Sequence, residues 1–211
     1  MGTALTAMNQ ANRLGDLIEL RLDFIRHPRL APLFAASERP LIVTNRRPEE
    51  GGQFKGDEKR RVAILQEAMD LGAEFVDVEA GSKRSSLQEL FIHKKRTRLI
   101  LSHHDFEKTP TNQELQALLA QMMEHEPDVV KIVTLARTWE DNFNILSLLS
   151  QAMKRKQIIV AFCMGEMGKM SRIFAPFMGS AWTYACLDKD RASAPGQLTA
   201  PEMREIWERL R

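Results

Sequence analysis

The sequence predicts an α/β fold, a (β/α)8 TIM-type barrel whose first strand is missing or displaced, formed by one domain over residues 1–211. Three observations predict it. Seven short apolar, β-branched runs alternate with segments of helical periodicity, the pattern of parallel strands joined by right-handed crossovers. Charged residues recur at the ends of these runs, where a barrel gathers its functional groups. The chain has 211 residues, 44% apolar and 27% charged. That length buries a core without disulfides, yet lies near the lower limit of roughly 200 residues for such a barrel.

The elements follow in order. Residues 5–14 have helical character, and the first apolar run is 17–24. A second run, 41–46, precedes Asp57, after which Val62, Leu65 and Met69 share one helical face. Runs 75–80 and 98–105 come next. Thr111 with Glu114 three residues later forms a capping box, opening a helix with Leu115, Leu118, Leu119 and Met122 on its buried side. After run 129–135, Thr138 with Asp141 opens a helix over 139–154. Runs 157–164 and 182–187 complete the strands. Thr199 with Glu202 opens the last helix, with Met203, Ile206, Trp207 and Leu210 as its stripe.

Composition excludes several roles. With 30 Lys and Arg against 28 Asp and Glu, net charge is +2, unlike the basic surface of a nucleic-acid binder. The longest apolar run, 158–164, is far short of the roughly 20 residues that span a bilayer, so no membrane partner is expected. The amino end has no basic segment followed by an apolar one, and only Cys163 and Cys186 are present, so a reduced, cytoplasmic location is expected. No Cys and His spacing suggests a metal site.

The strand-end charges carry the chemistry. In 17–24, period-two alternation puts Glu19, Arg21 and Asp23 on one face and Ile18, Leu20 and Leu22 on the other. Arg46, Glu79, His104 and Asp105 end later runs, and Lys131 lies inside VVKIVTL. An ammonium in an apolar strand must be paired, lose its proton or line a wet cavity. A barrel explains all these positions together, whereas an open sheet converges fewer of them.

From about Gly15 to the carboxyl end, the sequence resembles the type I 3-dehydroquinate dehydratases, the Schiff-base enzymes of the shikimate pathway. The motifs stand in the family's order: ELRLD at 19–23, TNR at 44–46 with EGG at 50–52, VDVE at 76–79, SHHDF at 102–106, VVKI at 129–132, SR at 171–172, GS at 179–180 and SAPGQ at 193–197. The resemblance implies dehydration of 3-dehydroquinate to 3-dehydroshikimate through an imine, with no cofactor and no metal. It implies Lys131 as the imine-forming amine, His104 as general base and acid, with His103 in the variable position, and Glu79 as the carboxylate orienting the imidazole. It gives Arg172 the substrate carboxylate, and Glu19, Arg21 and Arg46 the hydroxyls and the pocket floor. Ser193 and Gln197 belong to a closing lid, and Met164 and Met178 to an apolar wall, although the family often has an aromatic where Met178 stands. Glu19 and Arg21 also read as a structural ion pair. The remaining histidines read as surface residues, Cys163 and Cys186 as small core side chains. The partner expected is a small-molecule substrate, and a homodimer is compatible with the sequence.

Two other readings stand beside this one. A class I aldolase-like Schiff-base lyase also places a lysine on a barrel strand, but the Gly-rich phosphate turn is not evident. A non-catalytic barrel relative would explain why run 17–24 matches the family's second strand, leaving the first absent or reduced to residues 1–3. A downstream start, a truncation or an authentic open barrel would each give that pattern.

Overall fold

The structure, a computed structural model, describes residues 1–210. It comprises two compact units, Met1–Leu101 and Ser102–Arg211.

The first unit opens with helix α1 (Gly2–Leu14), then strand β1 (Ile18–Arg21), a 3-10 turn over Leu22–Phe24, α2 (Leu30–Ala35) and β2 (Leu41–Thr44). A 3-10 turn over Pro48–Glu50 leads to α3 (Glu58–Asp70), β3 (Phe75–Glu79), α4 (Arg84–His93) and the start of β4 (Arg98–Asp105). β1, β2, β3 and β4 are neighbours in that order, and β1 with β2 and β2 with β3 run parallel. α3 starts where the sequence places it: the Asp57 carboxylate accepts from Arg60 N at 2.7 Å, satisfying one of the helix's unpaired N–H groups. Its Val62, Leu65, Ala68 and Met69 are buried, and the helix packs on β2, β3 and α4.

The second unit holds the end of β4, α5 (Asn112–Met123), β5 (Val129–Leu135), α6 (Glu140–Lys154), β6 (Ile159–Met164), α7 (Lys169–Phe174) and α8 (Ala200–Leu210). The strand order is β4, β5, β6, with β5 and β6 parallel over Val130 to Leu135. Both capping boxes form: Thr111 and Glu114 bond reciprocally at the start of α5, and Thr199 and Glu202 do so before α8. Leu115, Leu119 and Met122 are buried, as are Ile145, Leu146, Leu148 and Leu149 of α6, which packs on β6 and α5.

Three expectations need correction. The described residues form six sheet strands, where the sequence suggests seven. The missing one is 182–187: Ala181 N bonds to Ile159 O at 2.8 Å and Cys186 makes an isolated bridge with Thr199, but no ladder joins the two points. Its consecutive Trp, Thr and Tyr have strand propensity, which does not by itself make a strand. Of the two alternatives for the leading strand, residues 1–3 exclude the reduced one and leave it absent among the described residues, because α1 begins at Gly2. Thr138 does not cap α6; instead Asp141 reaches back to accept from Arg137 N and Thr138 N at 2.7 and 2.8 Å. In α8 Met203 is buried while Leu210 is 49% exposed, so the stripe is shorter than its periodicity suggests. No helix among the described residues is long and apolar enough to cross a membrane.

Candidate active site

In the first unit the carboxyl ends of β1, β2 and β3 hold a buried charge network. Thr44 Oγ1 donates to Glu19 Oε1 at 2.9 Å. Arg21, the last residue of β1, grips Asp23 with two hydrogen bonds, Nε to Oδ1 at 2.8 Å and Nη2 to Oδ2 at 2.7 Å. Asp23 also accepts from Arg46 N and Gln53 N, so one carboxylate fixes the ends of β1 and β2 and the loop beyond. The sequence suggests Glu19 as the ionic partner of Arg21; Asp23 takes that role because the 3-10 turn folds it back beside the guanidinium.

Arg46, 3% exposed, donates through Nη2 to Asp77 Oδ2 at 2.8 Å and through Nη1 to Glu79 Oε1 at 3.0 Å. Burial alone would lower its pKa, but Asp77 and Glu79 outweigh that and raise it, so the guanidinium is held as a cation. Glu79 Oε1 also accepts from Arg47 N, and Oε2 from Arg61 Nη1 at 2.6 Å. Arg61, on α3 and fully buried, pairs with Glu58 through Nε and Nη2, both at 2.8 Å, and with Ser82 Oγ. Burial pulls the Arg61 pKa down, and Glu58 and Glu79 raise it above its ordinary value. Asp77 and Arg61 escape the sequence reading. Period two in VDVE places Asp77 on the face of Glu79, and Arg61 follows Glu58 by three residues, a helical neighbour.

In the second unit Lys131 lies in β5, 4% exposed, with its Nζ 4.4 Å from the centre of the Tyr184 ring. His103 and His104, near the end of β4, are both half-buried. The His104 ring stacks beside Phe106 with centroids 6.5 Å apart. Burial holds the His103 imidazole below its ordinary pKa, opposed by Asp105. Arg172 on α7 is 1% exposed, its Cζ lies 4.5 Å over the Phe162 ring, and its Nε is buried without a hydrogen-bond partner. Among the described residues no carboxylate pairs with it, and burial pushes its pKa down to about 10. The preceding Ser171 anchors the helix to β6, since Ser171 Oγ accepts from Cys163 N at 2.8 Å.

The proposed lid is ordered by its own polar groups: Gln197 Oε1 accepts from Ser193 N at 2.9 Å. Gly165 N donates to Pro195 O at 3.0 Å, and Gly196 adopts φ +72° with an ideal Cβ 2.1 Å from Gly165 O, so no other residue fits this approach. Met164 is buried, whereas Met178 is 48% exposed. Cys163 and Cys186 are buried free thiols, their pKa values raised first by burial. Among the described residues no three His, Cys, Asp or Glu side chains group as metal ligands.

Comparison with known proteins gives these two clusters a common context. The family model for type I 3-dehydroquinase matches residues 1–210. The chain belongs to the type I 3-dehydroquinase family. As a member it is an enzyme of the hydro-lyase class. It is 42% identical over 191 residues to the 3-dehydroquinate dehydratase of Thermococcus gammatolerans, covering 90% of this chain and 86% of the relative. It is 39% identical over 196 residues to that of Desulfotalea psychrophila, covering 92% and 87%. A crystal structure of type I 3-dehydroquinate dehydratase from Clostridium difficile with covalent modified comenic acid superposes with a TM-score of 0.87 at 26% identity, covering 98% of this chain and 86% of the other. A TIM-like α/β fold follows from that likeness, and among the described residues six strands form the sheet.

Proposed function

We propose that residues 1–211 act as one catalytic domain, a (β/α)8-type frame that dehydrates 3-dehydroquinate to 3-dehydroshikimate through a lysine Schiff base. Family membership supports the reaction, and one observation carries the mechanism's anchoring: Arg172 is a buried guanidinium with no carboxylate partner among the described residues. A buried charge lacking a counter-ion is costly, and a ligand carboxylate would offset that cost with two parallel hydrogen bonds.

In this reading Lys131 attacks the C3 ketone as the free amine, and loss of water gives an imine that protonates to an iminium. The iminium accepts the electron pair left when His104 removes the C2 proton, giving an enamine. His104 returns that proton to the departing C1 hydroxyl, which leaves as water as the enamine collapses. Hydrolysis of the product iminium restores the amine, so one water is lost overall. Glu79 is given the role of the carboxylate that orients the catalytic imidazole; within its own unit it accepts from Arg46, Arg47 N and Arg61. Glu19, Arg21 and Arg46 hold substrate hydroxyls, and Ser193 and Gln197 close over an imine that water would otherwise hydrolyse. The working location is the cytoplasm, and the second copy in a homodimer is the macromolecular partner this reading allows.

The test is direct assay of the purified chain with 3-dehydroquinate, following the conjugated enone of 3-dehydroshikimate by ultraviolet absorbance. Turnover without added cofactor supports the reading; a folded chain with no turnover contradicts it.

A further inference from the structure

Within the second unit Phe162 and Tyr184 face one another, ring centroids 6.0 Å apart and planes at 54°. Each ring carries one cation. Arg172 Cζ lies 4.5 Å over Phe162, and Lys131 Nζ lies 4.4 Å from the Tyr184 centroid. Phe162 is 2% exposed on β6, Arg172 1% and Lys131 4%, so both contacts are shielded from water, where a ring quadrupole attracts a cation most strongly.

We propose that Phe162 and Tyr184 are positioning residues for the reaction: their π faces hold Arg172 and the lysine-derived nitrogen, leaving the substrate's own carboxylate to act as counter-ion. A carboxylate held against Arg172 would compete with the substrate for the N–H donors. A ring face attracts the same charge yet accepts none of those donors in the strong, directional way an oxygen does. At the lysine, once the imine has formed, the Tyr184 face favours the charged iminium form of the nitrogen. It thereby keeps the imine protonated, the state in which it accepts electrons. Because the two rings touch, displacing one moves the support of both cations.

The proposal rests on the assignment of Arg172 and Lys131 to the reaction, so the native chain is first treated with 3-dehydroquinate and borohydride. Phe162→Leu is expected to raise KM by roughly tenfold or more while changing kcat less, and Phe162→Tyr, which restores a ring, to stay within about threefold of native. Tyr184→Leu is expected to move the alkaline limb of the kcat pH profile to lower pH, because the imine loses its proton more readily, whereas Tyr184→Phe leaves the limb in place. If Phe162→Leu does not fold by circular dichroism, Phe162→Met replaces it with the same expectation. A native chain that traps no adduct overturns the reaction reading and this proposal with it. A native chain that traps normally, with leucine variants matching it in KM and pH profile, overturns this proposal alone. A Tyr184→Phe variant as impaired as Tyr184→Leu also overturns it, by showing that the hydroxyl matters rather than the ring.

Discussion

Arg61 and Glu79 form a buried ion pair, Nη1 to Oε2 at 2.6 Å, with side chains 1% and 0% exposed. The other oxygen of the same carboxylate binds Arg46, so a helix residue that has no substrate-binding assignment of its own helps to hold a strand-end guanidinium.

Breaking that pair from one side leaves a charge buried without its partner, which costs about 3–5 kcal/mol. Arg61→Met is therefore expected to lower unfolding stability by about 3 kcal/mol, read as the urea midpoint at constant m-value. Glu58, 22% exposed, contributes less, so Glu58→Gln is expected to lose only a fraction of that. Equal midpoints for Arg61→Met and native would contradict this account of the network.

Replacing Arg172 should separate function from stability. Its guanidinium is buried without a carboxylate partner, so Arg172→Met is expected to leave the urea midpoint unchanged or raised. The same variant should raise KM at least about tenfold, the loss expected for charge-assisted hydrogen bonds to a carboxylate. A large loss of stability with native KM would reverse the assignment.

The two adjacent histidines are distinguished by kinetics. His104→Ala is expected to retain imine formation while kcat falls by about 10² to 10⁴-fold, the contribution of a general acid and base. His103→Ala, at the variable position of the motif, is expected to change kcat much less. A greater loss in His103→Ala would exchange their roles.

Acid sensitivity is expected at the start of α8. Thr199 N–H, Lys189 and the Thr199 hydroxyl lower the Glu202 pKa from 4.5 to about 2. A depressed carboxylate contributes stability above its unfolded value, which is lost as pH falls from 4.5 through about 2. Glu202→Gln should flatten that part of the stability curve, measured by urea midpoints across the window. An identical acid limb in the variant would contradict the linkage.

Much of the fold was legible because it depends on local rules. The runs 98–105 and 129–135 became β4 and β5 with the same limits, and the Thr111 and Thr199 boxes formed as spaced. Run 182–187 was misread because propensity cannot reveal whether a neighbouring backbone offers a ladder. At the site, charges at strand ends flagged Arg46, Glu79 and Lys131, which proved buried. Arg61 and Asp77 were hidden, because an arginine on an otherwise polar helix face and an acid between two valines acquire meaning only when tertiary packing brings them together. Phe162 and Tyr184 draw no notice in the sequence; only the side chains over their rings distinguish them.

The most direct test of the central claim is mass mapping of the chain after borohydride reduction in the presence of 3-dehydroquinate. The account predicts one covalent adduct, on the peptide carrying Lys131, and none in Lys131→Met. A folded native chain with no adduct, or with the adduct on another lysine, would contradict it.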